Sequence, residues 1–318
     1  MRIHIGRWPD RQVWQKKIEK KSRAWIKRPP VVPDSDNVRF RSRKTNENIQ
    51  SWQYAGLLLG LDRPAANLFI NSHSRILTTA PSVDKALLLY VLHKRGVLSK
   101  EQLRVFAQGL DIQKGNTVPY RPFLQDVRFV DAIGLLSPFF VACGMEERAL
   151  AQIEEFDKIL LNGVFPPHAF DIKRKIPLGV YDWGRGLGWY ILGITETFDL
   201  KGNRTRILRL AEEMLNYRLP SGGLGSLFFS DKRSESSGTA LLGLLFIKAY
   251  EFTGKEDYLS AAISAEDSLM CATRRDGAID YCQGDSPGIG LYSQRFDILP
   301  FAQGITLYFS KKLDSFLK

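Results

Sequence analysis

The sequence predicts an all-α fold, a closed (α/α)6 barrel of six helical hairpins. Three observations predict it. One plan repeats along the chain: an apolar helical run, a short polar or glycine-containing turn, then an amphipathic run. The first member of each pair is apolar almost all round, as in a buried helix, while its partner carries charge on one face. A basic helix over Arg11–Lys27 supplies the outer partner that the last apolar run lacks.

The elements follow in chain order. Residues 54–61 form the first inner helix, with 65–77 outside it. Residues 86–92 are followed by 100–110, and 135–142 turn at Gly144 into 146–161. Residues 188–198 turn at Lys201-Gly-Asn203 into 205–217, and 239–250 turn at Thr253-Gly-Lys255 into 258–271. Residues 301–309 close the series. Strand signal is slight, with 277–281 a small hairpin. No linker divides the chain, so one domain is expected: a basic arm over 1–44 that includes one outer helix, and the barrel over 45–318. In a helical barrel the long loops entering the inner helices build the pocket. Here these are 111–134, 162–187, 218–238 and 272–300.

Composition narrows the function classes. The apolar share of 44% and charged share of 25% are those of a soluble globular protein. No apolar run reaches the length of a membrane span, and the start lacks the apolar core of a signal peptide. Cys143, Cys271 and Cys282 are few, odd in number and outside any metal spacing. A reducing, cytoplasmic setting is expected. The net charge of +11 is concentrated at the start. Residues 1–44 carry 14 Lys/Arg against 4 Asp/Glu, a net of +10, and the other 274 carry 31 against 30. Such an arm can meet a polyanion or an anionic surface, or it can be the solvated face of a helix with Trp14, Ile18 and Trp25 inward. Nothing further supports a nucleic-acid partner.

The candidate site residues gather before the inner helices. Tyr181-Asp-Trp-Gly-Arg-Gly-Leu-Gly-Trp-Tyr190 packs two tryptophans, an arginine and three glycines into ten residues and reads as a loop running into a buried helix. Trp183 and Trp189 offer stacking faces, and Arg185 a planar fork for a carboxylate. Asp84 and Asp131 each stand at the start of an apolar run. Singly, each fits a helix N-cap; as a pair, they fit an acid and a base whose environments push their pKa values apart. His168 and Asp171 lie in His168-Ala-Phe-Asp171, and Glu235 and Ser237 lead the fifth inner helix.

The order and context of these pieces resemble glycoside hydrolase families 105 and 88, the unsaturated rhamnogalacturonyl and glucuronyl hydrolases. The resemblance covers roughly residues 50–310. Trp183-Gly-Arg-Gly-Leu-Gly-Trp-Tyr190 is similar to the family's Trp-Gly-Arg-Gly-Asn-Gly-Trp-Tyr, with Leu187 at the Asn position. Asp131, followed by Pro138-Phe139, is similar to its Asp-Gly-Leu-Tyr-Met segment ending in Pro-Phe. Gly163-Val-Phe165 with His168 and Asp171 resembles Gly-Leu-Phe-x-His-x-x-Asp, and Glu235-Ser-Ser-Gly-Thr-Ala240 resembles Glu-Thr-Ser-Ala-Thr-Ala. Asp84 stands where the family has a second acidic residue. The resemblance implies an (α/α)6 barrel that hydrates the C4=C5 bond of a terminal unsaturated uronic acid on an acidic oligosaccharide or polysaccharide. It implies Asp131 as general acid/base and Asp84 and His168 as the residues that place the water. Arg185 would take the carboxylate, Trp183 and Trp189 the ring, and Asp171, Glu235 and Ser237 would help to bind substrate. No metal and no organic cofactor is implied. The alternatives are a non-catalytic glycan-binding barrel, or another barrel enzyme of polysaccharide assembly.

Overall fold

The computed structural model describes residues 5, 6, 8–30, 50–110 and 117–317. Six inner helices form a closed ring: α2 (Ser51–Leu59), α5 (Val83–Lys94), α7 (Asp131–Cys143), α9 (Gly184–Glu196), α11 (Ser236–Thr253) and α13 (Pro300–Leu313). Each packs on the next, and α13 packs back on α2. Outside them lie α1 (Arg11–Lys27), α3 (Arg63–His73), α6 (Lys100–Gln108), α8 (Glu146–Asp157), α10 (Asn203–Tyr217) and α12 (Glu256–Cys271). This is the (α/α)6 barrel that the repeat predicts.

Burial follows the two kinds of run. In α7 every residue from Ala132 to Phe140 is buried, whereas α10 buries only Asn203, Ile207, Leu210, Ala211 and Met214. An all-round apolar helix has no face to give to water and therefore sits in the ring. The ring closes where two glycines meet. A Cβ on Gly304 of α13 would lie 2.0 Å from the Gly56 carbonyl oxygen of α2, so only glycine permits that approach.

The basic helix α1 has the predicted bounds and acts as the sixth outer helix, between α13 and α3. Trp14, Ile18, Trp25 and Ile26 are buried. The Trp14 indole donates to Thr273 Oγ1 at 2.8 Å, and Arg11 pairs with Glu266 and Asp314 near the C-terminus. Lys21 pairs with Asp276, and Arg23 with Glu19 and Asp62, while Lys16, Lys17 and Lys20 face solvent. Three of the seven Lys and Arg of α1 thus pair with the body of the protein. Residues 31–44 of the expected arm lie outside the described residues.

Four details differ from the sequence reading. The expected outer helix 65–77 is two, α3 and α4 (Arg75–Thr78), separated at Ser74. Inner helices begin earlier than their apolar runs suggest, because small and polar residues occupy the first turns. Residues 277–281 form a turn with one bridge, Thr273 to Ile279, rather than a hairpin of strands. The strands lie at the site end instead. β1 (Val127–Phe129), β2 (Ala169–Asp171) and β3 (Ile176–Leu178) form an antiparallel sheet, with Phe129 opposite Ala169. β4 (Gly225–Leu227) pairs with β5 (Asp231–Ser234), and β6 (Cys282–Gln283) with β7 (Phe296–Asp297). No helix among the described residues is long and apolar enough to cross a membrane.

Candidate active site

A cavity of about 400 Å³ opens at the N-terminal ends of the inner helices. Asp131, His168, Trp183, Arg185 and Trp189 all line it, with Trp52, Tyr120 and Asp285. Helix N-termini present unpaired backbone N–H groups and the positive ends of their dipoles, so this end of the barrel favours an anionic ligand.

Asp131 is the first residue of α7, and the N-cap residue before it, Val130, gives no side-chain capping bond. Its position is set by the sheet, since the Val130 N–H donates to the His168 carbonyl at 3.0 Å. Asp131 Oδ2 is buried with no hydrogen-bond partner among the described residues. Burial pushes the carboxyl up to about 7, against its own backbone N–H and the Arg185 charge, while Asp84 and Asp285 add to the rise. A group held near neutral pH can both give and take a proton.

His168 is buried, with its ring 4.5 Å from that of Trp183 and Nδ1 3.2 Å from Tyr292 Oη. Burial lowers its pKa to about 4, so the imidazole is neutral at pH 7. Asp84 lies in the first turn of α5, whose N-cap residue Ser82 gives no side-chain capping bond, and outside the cavity lining. It reaches the site through Tyr120, whose hydroxyl donates to Asp84 Oδ1 at 2.5 Å. Arg121 Nη1 is 3.8 Å from the other Asp84 oxygen.

The tryptophan-arginine segment is helical from Gly184, so Arg185 sits in the first turn of α9 rather than in a loop. Trp183 folds back on this turn. A Cβ on Gly186 would lie 2.5 Å from the Trp183 ring. The Trp183 indole donates to Gln283 Oε1 at 3.0 Å. Arg185 is buried, and its Nη2 donates to the carbonyls of Gln283 and Gly284. Its Nη1 is 3.6 Å from Asp285 Oδ1, and its Nε has no hydrogen-bond partner among the described residues. Trp189 packs on Phe301, 4.5 Å between ring centres, and edge-on against Trp52 at 5.6 Å.

Three predicted residues stand elsewhere. Asp171 accepts from the backbone N–H groups of Lys173 and Arg174 and from the Arg174 guanidinium at 2.7 Å, closing the β2–β3 turn. Glu235 caps α11, accepting from Gly238 N at 2.5 Å and from Ser237 Oγ at 2.8 Å. It also accepts from the Gln283 N–H at 3.2 Å. Glu235 and Ser237 are fully buried and do not line the cavity. Their contribution is indirect: they hold Gln283, which holds Trp183 and Arg185.

Sequence reasoning missed Trp52, Tyr120, Gln283, Asp285 and Tyr292. Four of these lie in loop segments flagged as pocket-forming or just inside them, but none carries a local pattern. No group of three or more His, Cys, Asp or Glu among the described residues could hold a metal ion.

No protein-family model and no curated protein sequence matches the chain. Solved structures do match. A possible family 105 member from Salmonella enterica serovar Paratyphi A is 13% identical with a TM-score of 0.74, over 98% of this chain and 97% of that one. An unsaturated glucuronyl hydrolase from Bacillus sp. GL1, described as responsible for glycosaminoglycan degradation, is 16% identical with a TM-score of 0.69, over 96% and 97%. An unsaturated glucuronyl hydrolase specific for heparin is 14% identical with a TM-score of 0.68, over 96% and 98%. The chain therefore has, along nearly its whole length, the fold of glycoside hydrolase families 105 and 88 as a divergent example of it.

Proposed function

We propose that the protein is a glycoside hydrolase that removes a terminal 4,5-unsaturated uronic acid from an acidic oligosaccharide or polysaccharide. One observation carries this reading. Asp131, its buried Oδ2 without a hydrogen-bond partner among the described residues and its pKa near 7, shares a cavity with a buried arginine and a neutral histidine. The resemblance of sequence and fold supports it.

The chemistry follows from those groups. The Asp131 carboxylic acid gives its proton to C4 of the alkene, and the ring oxygen shares the positive charge that develops at C5. Water adds at C5, and its proton passes to the Asp131 carboxylate, which restores the acid. The resulting hemiketal opens, and the linked sugar leaves as an alcohol. Neutral His168 can accept a hydrogen bond from the water, while the Asp84–Tyr120 pair presents a phenol to the cavity. Arg185 takes the uronate carboxylate through its Nε–H, which has no hydrogen-bond partner among the described residues, and through Nη1, which stands 3.6 Å from Asp285 Oδ1. Trp189 and Trp183 bound the ring.

The conjugated enol carboxylate absorbs in the ultraviolet, and turnover removes that absorbance. Asp131→Asn should lower kcat on the order of a hundredfold or more with the helical signal intact. Wild-type rates in that variant would end the assignment. A second reading, a glycan-binding barrel without catalysis, draws on the Arg185 bonds to two backbone carbonyls, which suit a structural role. Binding of unsaturated oligosaccharides without loss of absorbance would favour it.

A further inference from the structure

Asp84 stands behind the cavity wall, and Tyr120 stands in front of it. Asp84 lies in the first turn of α5 and does not line the cavity, whereas Tyr120 and Arg121 both do. The Tyr120 hydroxyl donates to Asp84 Oδ1 at 2.5 Å, and Arg121 Nη1 stands 3.8 Å from Oδ2. Each Asp84 oxygen therefore faces one of these two loop residues. The Tyr120 ring is held by two neighbours. Its centre is 5.5 Å from that of Phe129 in β1, and the Arg121 guanidinium lies 4.5 Å from it.

A phenol has one proton to give and two lone pairs with which to accept. Tyr120 gives its proton to Asp84. Its oxygen can then offer the cavity only acceptor capacity, and the carboxylate beyond the bond polarises that oxygen further. Burial, joined by the charges of Asp84 and Asp131, holds the Tyr120 pKa well above its usual value, so the phenol keeps its proton at neutral pH. Arg185 has the opposite character, since a guanidinium only donates. The cavity thus holds a donor on α9 and an acceptor just ahead of β1. A uronic acid carries the matching pair: a carboxylate that only accepts, and hydroxyls that can donate. A carboxylate placed at Tyr120 would meet no proton, with the Asp84 charge behind the oxygen.

We propose, on the reading of the cavity as a uronate site, that Tyr120 accepts a hydrogen bond from a hydroxyl of the bound sugar and so fixes which way round the ring lies relative to Arg185. Tyr120 is a specificity-determining residue. Asp84 is a positioning residue: it orients the Tyr120 proton and acts on the sugar only through Tyr120.

The test is calorimetric titration of two ligands into the full chain, Tyr120→Phe, Asp84→Asn and the double variant. One ligand is glucuronate. The other is tetrahydropyran-2-carboxylate, which keeps the ring and the carboxylate but has no hydroxyl. Phenylalanine keeps the ring against Phe129 and Arg121, and circular dichroism checks that each variant is folded. Tyr120→Phe should bind glucuronate about tenfold more weakly than wild type does, the size of one lost hydrogen bond. Its affinity for tetrahydropyran-2-carboxylate should be unchanged. Asp84→Asn should show a smaller loss, again for glucuronate alone, and should add nothing in the Tyr120→Phe background. Equal losses for the two ligands would mean a structural role and would overturn the proposal. So would wild-type glucuronate affinity in Tyr120→Phe, or no glucuronate binding by wild type. An Asp84→Asn loss that persists in full beside Tyr120→Phe would show that Asp84 touches the sugar itself, and would overturn it too. Ultraviolet turnover of an unsaturated uronide separates this from the assigned reaction. If wild type shows no turnover but Tyr120→Phe loses affinity for glucuronate alone, the hydrolase assignment falls and the role of Tyr120 stands. If turnover is seen and the two ligands lose equally, the assignment stands and the role of Tyr120 falls.

Discussion

Asp131 shows how one carboxyl is set apart. Its pKa near 7 comes first from burial, and Asp84 and Asp285 reinforce it. Catalysis through the acid form should fall as pH rises through about 7, and a pH profile of kcat/KM on an unsaturated uronide checks this. Stability follows the same proton. The folded chain binds it more tightly than the unfolded chain does, so the raised pKa favours folding at pH values below the unfolded pKa near 3.8. That advantage is lost as pH rises toward and through about 7. Asp131→Asn removes the titration. Its melting temperature should gain on wild type from pH 5 to pH 8, and parallel curves would show that the site is not protonated as described.

The residues that line the cavity were unevenly legible. His168, Trp183, Arg185, Trp189 and Asp131 stood out because aromatic and charged groups crowd the starts of apolar helices. Glu235 shares that context and Asp171 lies in the loop before α9, yet they satisfy backbone N–H groups instead, of a helix start and of the β2–β3 turn. A carboxylate before a helix serves a cap as readily as a reaction, and spacing alone does not separate the two. Tyr120 and Asp285 arrive from loops whose course depends on tertiary contacts.

The elements were more legible than the residues. Burial on all sides forces a helix inward whatever its neighbours, so six apolar runs sufficed to count the inner ring. Helix starts were read late because Gly184, Arg185 and Gly186, or Ser236 and Ser237, do not look apolar. The pairing of α1 with α13 was legible from Trp14, Ile18 and Trp25 on one face. That pairing makes α1 part of the barrel rather than a loose arm. Trp14 is fully buried and its indole is bonded to Thr273, so Trp14→Ala both opens a cavity and strands a polar group. It should cost about 3–5 kcal/mol. Chemical denaturation of the full chain measures this, and a loss below 1 kcal/mol would place α1 outside the cooperative fold.

At the scale of the whole molecule, the ring is what turns separate helix starts into one site. Trp52 comes from α2, Asp131 from α7, Arg185 and Trp189 from α9, and no two neighbouring hairpins contain them all. The joint between α13 and α2 is the last to form in chain order, and it depends on Gly304 against Gly56. A methyl group at 304 would lie 2.0 Å from the Gly56 oxygen and 2.2 Å from the Leu57 Cα, and both are backbone atoms in a buried helix. Neither can swing aside as a side-chain end could, so the two helices must separate. Overpacking in a core typically costs about 1–3 kcal/mol, and contact with backbone puts Gly304→Ala at or above the top of that range. The melting temperature should fall by several degrees. Moving α2 also moves Trp52, which stands edge-on to Trp189 and closes one side of the cavity. Turnover of an unsaturated uronide by the folded variant should therefore drop at temperatures well below its melt, with Asp131 and Arg185 untouched. A Gly304→Ala protein with wild-type melting and turnover would show that α2 and α13 are free to slide, and that the ring does not hold the site together.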